Sequence, residues 1–183
     1  MASYNEIPVS ALARLIGTPY CPTLLDVRID EDFDDDPRLI PGAYRHPFNS
    51  VVDLAETLKD RSVVVYCQKG LKISQGAAAL LRASGVNAEV LEGGQFAWRD
   101  AKLPLVITDK LPPLDALGRT VWVTRHRPKI DRIACPWLIR RFIDPKAQIL
   151  FVAASQVGNV AERFNATPFD IEDVFWSHRG ETC

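Results

Sequence analysis

The apolar, β-branched run Ser62–Tyr66 constrains the fold more than any other feature of this chain. A run of this kind, without polar alternation, is typical of a strand that is buried on both faces of a parallel sheet. An alanine-rich helical segment, residues 74–84, follows after a short turn and is closed by Gly85. The next strand candidate, Asn87–Leu91, comes directly afterwards. This order indicates a βαβ crossover, so we expect an α/β fold with a mainly parallel sheet.

Similar patterns predict the other elements of the chain. Residues 30–36 are strongly acidic, and repulsion between like charges predicts a solvated loop there. Pro136 lies inside a predicted helix, which it should kink or shorten. Helical spacing of apolar residues predicts helices at 11–16, 51–60, 131–142 and 157–164, and short apolar runs predict strands at 24–28, 120–124 and 148–152.

Length and charge limit the classes of function. The chain of 183 residues can hold one large core, or one small domain and part of another. Its formal net charge of -1 gives no global field, so we expect no membrane partner and regard a nucleic-acid partner as disfavoured. No apolar stretch approaches the roughly 20 residues that cross a bilayer, and the amino terminus lacks the pattern of a secretion signal. We therefore expect a cytoplasmic location.

The cysteines are too scattered for a metal or disulfide framework. No Cys-x-x-Cys pair occurs, and no cysteine has zinc-like spacing with a histidine, so we expect no metal. Burial in the core is the default expectation for an isolated cysteine, and it is favoured for Cys135 over a redox role. The four cysteines are Cys21, Cys67, Cys135 and Cys183, and the three histidines are His46, His126 and His178.

Cys67 differs from the other cysteines because it directly follows the predicted central strand. Open α/β sheets bind their ligands at the carboxyl ends of the strands. The start of the next helix, together with Lys69 and Lys72, favours the thiolate over the thiol, and the thiolate is the nucleophilic form. Gly70 can take positive φ angles, which lets the backbone curl around an anion. We therefore predict that Cys67 is a catalytic nucleophile.

Four motifs in register resemble rhodanese-like sulfurtransferases over about the first 105 residues. The segment 67–72, Cys-Gln-Lys-Gly-Leu-Lys, resembles the family's active-site loop, Cys-x-x-Gly-x followed commonly by Arg or Thr. The flanking motifs are Leu25-Asp26-Val27-Arg28, Ile40-Pro41-Gly42-Ala43, and Leu91-Glu92-Gly93-Gly94 with Trp98. The resemblance implies a rhodanese-like α/β domain, residues 1–105, with a five-stranded parallel sheet flanked by helices.

The resemblance also implies a reaction and a set of site residues. Cys67 would take sulfur from a donor such as thiosulfate, hold it as a covalent persulfide without any cofactor, and pass it to cyanide or a thiol. Backbone N–H groups of the loop would hold the persulfide, as in an oxyanion hole. The implied substrate-binding residues are Gln68, Lys69, Gly70, Leu71, Lys72, Ile73 and Arg28.

Two alternatives bear on these residues. Related phosphatases carry a longer loop, Cys-x5-Arg, but the position that would hold this arginine is Ile73, so phosphatase chemistry is disfavoured. Lys72 stands where arginine is common, so a point charge replaces bidentate anion recognition. Asp26 and Arg28 could instead form a buried charge pair behind the loop, and this structural role is the favoured one.

Residues 106–119 form a predicted linker that contains prolines, and a basic segment, residues 124–132, follows it. Residues 122–144, which include this segment, and the downstream Phe-Trp-Ser-His-Arg-Gly at residues 175–180 resemble the carboxyl-terminal domain of chromate-resistance regulatory proteins. That family's domain extends further, so residues 120–183 are predicted to be a small, partial α/β region. From composition alone a solvated basic face is favoured, and an oxyanion site and a nucleic-acid patch are the competing interpretations. The candidate ligands for chromate or a similar dianion are Arg125, Arg127, Lys129, Arg132 and His178.

Two hypotheses of function follow. The first is a sulfurtransferase whose partners are a small-molecule sulfur donor and acceptor, with a link to chromate resistance. The second is a non-catalytic regulatory protein that senses an oxyanion such as chromate. The cysteine at position 67 favours the first, because a rhodanese fold without catalysis has no need of a thiolate.

Overall fold

The computed structural model describes residues 5–116, 118–127 and 129–177. The chain divides into two compact units, Met1–Asp109 and Lys110–Cys183. Within the described residues, none of the helices is long and apolar enough to cross a membrane. The expected domain boundaries, residues 1–105 and 120–183 with a linker between them, stay a prediction.

The first unit is built on a five-stranded sheet in which every neighbouring pair is parallel. This confirms the predicted sheet. The strands are β1 (Glu6–Ile7), β2 (Thr23–Asp26), β4 (Ala43–Arg45), β5 (Ser62–Tyr66) and β6 (Asn87–Leu91), while β3 (Arg38–Leu39) belongs to a separate ribbon. The order across the sheet is β1-β6-β5-β2-β4, so the apolar run at residues 62–66, which is β5, is the central strand.

Helices cover both faces of this sheet, as the alternation of buried side chains along β5 shows. Val63 and Val65 pack into a core with the helices that follow β4 and β5, whereas Val64 and Tyr66 pack into a second core that includes Trp98. Because both faces are apolar, the strand carries no polar alternation. The helices are α1 (Val9–Leu15), α2 (Asp30–Asp34), α3 (Ala55–Leu58), α4 (Lys72–Ala83) and α5 (Gly94–Asp100), and a 3-10 helix, Phe48–Leu54, precedes α3.

The acidic segment after β2 is not the loop that its charge predicts. It forms α2, whose first turn is entirely acidic, and negative charge there is favoured by the helix dipole. The ring of Phe33 in α2 lies 4.8 Å from the Arg28 guanidinium and 4.0 Å from that of Arg45. These cations offset the repulsion between the carboxylates. The expectation of a loop at residues 30–36 was therefore wrong for most of the segment.

The predicted linker contains ordered structure at its start. A short strand, β7 (Val106–Ile107), pairs with β3 in an antiparallel ribbon of the first unit. The Thr108 hydroxyl adds a hydrogen bond of 2.6 Å to the Pro37 carbonyl. Two residues are too few to show a period in the sequence, so this pairing was not predictable from periodicity.

The second unit has a three-stranded parallel sheet of order β10-β8-β9. Side chains from this sheet and from the helices of the unit form two small apolar clusters. Pro136 lies within its first helix, which ends as an α-helix at Leu138 and continues as a π-helical turn, Ile139–Ile143. The predicted helix 131–142 is thus shortened as an α-helix, because proline cannot donate a backbone hydrogen bond. The elements are β8 (Val121–Arg125), α6 (Asp131–Leu138), β9 (Gln148–Val152), α7 (Val157–Phe164) and β10 (Thr167–Pro168).

Burial of Tyr66 makes the stability of the first unit sensitive to alkaline pH. The side chain is fully buried, and this burial, together with the nearby Asp26 carboxylate, raises the pKa of Tyr66 well above its ordinary value. The unfolded tyrosine ionises above about pH 10, whereas the folded one stays neutral. The stabilisation is therefore complete below that pH and is lost as the pH rises through the folded pKa.

Between about pH 10 and pH 11.5, we expect the free energy of unfolding to fall less steeply with pH in Tyr66→Phe than in wild type. The two slopes should differ by up to about 1.4 kcal/mol per pH unit. Urea denaturation at pH 8, 10 and 11.5 measures this. Tyr20→Phe is the control, since Tyr20 is 82% exposed and should leave the wild-type slope unchanged. Parallel falls in wild type and Tyr66→Phe would contradict the assignment.

Candidate active site

Cys67 lies at the carboxyl end of the central strand, directly after Tyr66. Its neighbours β2 and β6 run parallel to β5, so the loops that follow all three strands meet at the same edge of the sheet. The residue is 5% exposed, so nearly all of it is shielded from water.

The loop that carries Cys67 is held from behind by the first turn of α5. The Gln95 N–H donates a hydrogen bond of 3.0 Å to the Cys67 carbonyl, and the Phe96 N–H donates one of 3.0 Å to the Gln68 carbonyl. These donors are N–H groups that a helix leaves without intrahelical partners at its start. The two carbonyls of the loop therefore face α5.

This arrangement directs the loop amides to the other side. Each peptide unit is planar and trans, so its N–H points opposite to its carbonyl. Because the carbonyls of Cys67 and Gln68 face α5, the N–H groups of Gln68 and Lys69 point away from it. Helix α4 begins at Lys72, two residues earlier than predicted, and its first-turn N–H groups add to the positive end of the helix dipole. The loop can thus present several N–H donors to an anion.

Two glycines allow this close approach between the loop and α5. Gly70 has a φ of +69°, and a methyl group there would lie 2.6 Å from the Leu91 carbonyl oxygen. Gly94 has a φ of +60°, and a methyl group there would collide with the Cys67 carbonyl oxygen and the Gly70 nitrogen. Both positions therefore require glycine, for backbone conformation and for space.

Ser74, which the sequence analysis did not single out, contacts the cysteine sulfur. Its hydroxyl Oγ lies 3.3 Å from Cys67 Sγ, and the residue is fully buried. The sequence pattern predicts Ser74 only as the first residue of a helix. The one signal for the contact is its position seven residues after Cys67, in the first turn of α4. Helix geometry brings that turn back against the end of β5.

The predicted substrate-binding side chains of the loop differ in their accessibility. Lys69, Leu71 and Lys72 are exposed, whereas Gly70 is buried and Gln68 and Ile73 are half-buried. The loop that begins at Cys67 thus carries two exposed cations, and the Leu71 side chain between them in sequence is 56% exposed. These residues share one loop with Cys67, and their role in binding a substrate stays a prediction.

Arg28 does not lie where a substrate could touch it. Its side chain is fully buried and forms an ion pair of 2.6 Å with Asp26. It also donates hydrogen bonds to the backbone carbonyls of Asp36 and Arg38, at 2.9 and 2.8 Å. All of its guanidinium nitrogens are engaged, so this geometry opposes a substrate-binding role and agrees with the alternative of a buried charge pair.

The network around Arg28 reaches α5. Gln95 is fully buried, and its Nε2 donates a hydrogen bond of 2.7 Å to Asp36 Oδ2. Hydrogen bonding from the Arg38 guanidinium holds the pKa of Asp36 below its usual value, against the opposing effect of burial. Asp36 therefore stays ionised and anchors the same residue, Gln95, whose backbone N–H holds the Cys67 carbonyl.

In the second unit, three of the predicted oxyanion ligands line one cavity of about 620 Å³: Arg125, Lys129 and Arg132. Arg127 is exposed, has a φ of 72°, and does not contribute to that lining. His178 lies outside the described residues. The sequence did not indicate the carboxylates that share the cavity, which are Asp131, Asp170, Glu172 and Asp173.

Asp170 partly neutralises the arginines of this cavity. Its Oδ2 lies 3.5 Å from Arg132 Nε and 3.9 Å from an Arg125 terminal nitrogen, and Arg125 also donates a hydrogen bond to the Asp170 carbonyl. The Nε atoms of both arginines are buried without a hydrogen-bond partner among the described residues. Cys135, half-buried, packs against the apolar cluster around Trp122, which agrees with the core role favoured for it.

We expect Gly94→Ala to lower the free energy of unfolding by at least about 2 kcal/mol, from the positive φ and the collision with the loop. It should also change the rate at which iodoacetamide alkylates Cys67. Urea denaturation and peptide mass spectrometry measure the two effects.

Gly76→Ala is the matched control, because a methyl there meets no heavy atom of the described structure within 4 Å. In the interior of α4 this change should raise stability by roughly 0.5–1 kcal/mol. If both variants behaved alike, the role given to Gly94 would be wrong.

Family comparisons agree with this two-part organisation. A family model described as a rhodanese-like domain matches residues 9–101, and one described as the ChrB C-terminal domain matches residues 122–183. A rhodanese-related protein of Thermoplasma volcanium, of known structure, is 25% identical with a TM-score of 0.48, covering 57% of this chain and 99% of that one.

Two curated relatives correspond to the two parts. A sulfurtransferase of Allochromatium vinosum is 30% identical over 103 residues, 56% of this chain and 94% of that protein. Protein ChrB of Cupriavidus metallidurans is 28% identical over 138 residues, 68% of this chain, which spans only 41% of the length of ChrB. The chain therefore belongs to the rhodanese-like family, through residues 9–101, and its residues 122–183 are similar to the ChrB C-terminal domain.

Proposed function

We propose that this protein is a sulfurtransferase that carries the transferred sulfur on Cys67 as a persulfide. The observation that supports this best is the loop geometry: α5 holds the carbonyls of Cys67 and Gln68, which turns loop N–H groups toward the opposite side. A sulfur anion gains from such preorganised donors, as an oxyanion does in its hole. Family membership and the sulfurtransferase relatives support the same reaction class.

The proposed reaction has two half-steps. The Cys67 thiolate attacks the outer sulfur of thiosulfate, the sulfur–sulfur bond of the donor breaks, and sulfite leaves with the bonding electron pair. The resulting Cys67 persulfide is then attacked at its outer sulfur by cyanide or a thiol, and the electron pair returns to Cys67. Atoms and charge balance without a metal or organic cofactor. That no cofactor is needed stays a prediction, as does the expected cytoplasmic location.

Lys69 and Lys72 suit the role of attracting an anionic donor. Both are exposed and lie in the same loop as Cys67, two and five residues after it, so their charges would attract an anionic donor. Neither can make the planar, bidentate contact that an arginine makes with an oxyanion. The exposed Leu71 between them is compatible with an acceptor that carries apolar surface.

We expect Cys67→Ser to abolish formation of thiocyanate from thiosulfate and cyanide, because a serine hydroxyl does not form the persulfide. Wild type treated with thiosulfate should gain the mass of one sulfur atom, and the variant should not. The assay is colorimetric thiocyanate detection together with intact-protein mass spectrometry.

Cys21→Ser is the matched control, since Cys21 is another cysteine of the first unit and should be dispensable for transfer. The proposal is wrong if wild type neither gains sulfur nor turns over with thiosulfate or with mercaptopyruvate.

We propose oxyanion binding by the second unit as a second candidate function. The buried Nε atoms of Arg125 and Arg132, without hydrogen-bond partners among the described residues, support it, as does the relationship to ChrB. Chromate, sulfate and thiosulfate are all dianions with a tetrahedral centre. The four carboxylates around the cavity oppose such a ligand, so we expect affinity to be weak.

We expect Lys129→Met to weaken chromate binding about two- to fivefold, the range expected for one exposed charge. Isothermal titration calorimetry of the full chain with chromate and with sulfate measures this. Arg127→Met removes the same charge from the same segment, outside the cavity lining, and should leave affinity unchanged. Absence of heat with either anion, or equal effects of both variants, would exclude the site.

A further inference from the structure

The hydroxyl of Ser74 and the sulfur of Cys67 form a buried pair. Oγ and Sγ are 3.3 Å apart, Ser74 is 0% exposed and Cys67 is 5% exposed. At this distance one of the two atoms is the hydrogen-bond donor and the other the acceptor. Either Oγ or Sγ can be the donor as long as the sulfur is protonated.

The Ser74 hydroxyl has one proton to donate, and two acceptors lie within hydrogen-bond distance of it. Its Oγ also lies 3.1 Å from the Leu71 carbonyl oxygen. While Cys67 is a thiol, both contacts are satisfied at once: the S–H donates to the hydroxyl, and the hydroxyl donates to Leu71.

Ionisation of Cys67 removes this arrangement, because a thiolate has no proton to donate. The thiolate sulfur can only accept hydrogen bonds, and the Ser74 hydroxyl lies within hydrogen-bond distance of it. Rotation of the hydroxyl toward the sulfur leaves no orphaned carbonyl, since Leu71 still accepts a hydrogen bond of 2.9 Å from the Gln75 N–H. The switch therefore costs no buried unsatisfied acceptor.

We infer that Ser74 is a catalytic residue whose hydroxyl turns from the Leu71 carbonyl to the Cys67 sulfur whenever that sulfur carries negative charge. The part of this inference that concerns sulfur transfer rests on the proposed function. The hydrogen bond itself depends only on the geometry around Cys67.

The same donor acts when the sulfur is passed on. An acceptor nucleophile forms a bond to the outer sulfur, the bond between the two sulfurs breaks, and its electron pair goes to Cys67 Sγ. Negative charge thus develops on the atom that Ser74 touches. A hydrogen bond to a charged group stabilises that leaving sulfur more than a bond between neutral groups would.

The test compares Ser74→Ala with wild type in the full chain. Iodoacetamide alkylation of Cys67 is followed by peptide mass spectrometry between pH 4 and pH 10. We expect the midpoint of the rate profile to move up by roughly one to two pH units, and the rate below the wild-type midpoint to fall roughly tenfold to hundredfold. Single-turnover release of sulfur from loaded enzyme to cyanide should slow by a similar factor.

Ser84→Ala is the matched control. Ser84 closes the same helix, and its exposed hydroxyl donates a hydrogen bond of 3.1 Å to the carbonyl of Leu80. It should leave both readouts unchanged. Ser74→Thr keeps a hydroxyl and should retain the wild-type midpoint.

A wild-type alkylation profile in folded Ser74→Ala would overturn the inference. Alanine removes only the hydroxyl and has the highest helix propensity, so Ser74→Ala is expected to fold. Ser74→Thr is the second variant, and a midpoint in Ser74→Thr that matched Ser74→Ala instead of wild type would also overturn the inference. Should wild type fail to transfer sulfur, the proposed function would be wrong, and the alkylation profiles would still decide whether the hydrogen bond forms.

Discussion

Two hydrogen bonds from the first turn of α5 to the carbonyls of Cys67 and Gln68 are the contacts on which the site depends. A carbonyl oxygen carries partial negative charge and would repel a thiolate or a persulfide. Binding both carbonyls to helix donors turns the loop amides the other way, since the peptide units are planar. Gly70 and Gly94 are required because the two backbones approach more closely than any side chain permits.

The buried charges behind the loop support this geometry without taking part in the chemistry. Arg28 ties Asp26, at the end of β2, to the backbone of Asp36 and Arg38. Asp36 in turn holds the side chain of Gln95. Loss of one partner from such a buried pair leaves an uncompensated charge, which costs about 3–5 kcal/mol. Charged residues near the nucleophile therefore position its surroundings through contacts that a substrate never reaches.

The two units offer an anion very different surroundings. In the first unit the Ser74 hydroxyl contacts the Cys67 sulfur, the N–H groups of Gln68 and Lys69 point away from α5, and the exposed Lys69 and Lys72 lie in the same loop. In the second unit the cations line a cavity together with carboxylates, and Asp170 engages two of them. Backbone dipoles carry no net charge that must be balanced by acidic neighbours, which distinguishes the first arrangement from the second.

The sequence by itself determined the central strand, the α4 crossover, the parallel sheet and the place of Cys67, because these follow from local apolar patterns and from motifs whose order is visible in the chain. It did not determine α2, where Arg28 and Arg45 offset the acidic residues around Phe33. It favoured a buried charge pair for Arg28 but did not reveal the hydrogen bonds of Arg28 to the backbone of Asp36 and Arg38, or the contact of Ser74 with Cys67. Those depend on which groups the fold buries together, and burial is decided by tertiary packing, which no local pattern records.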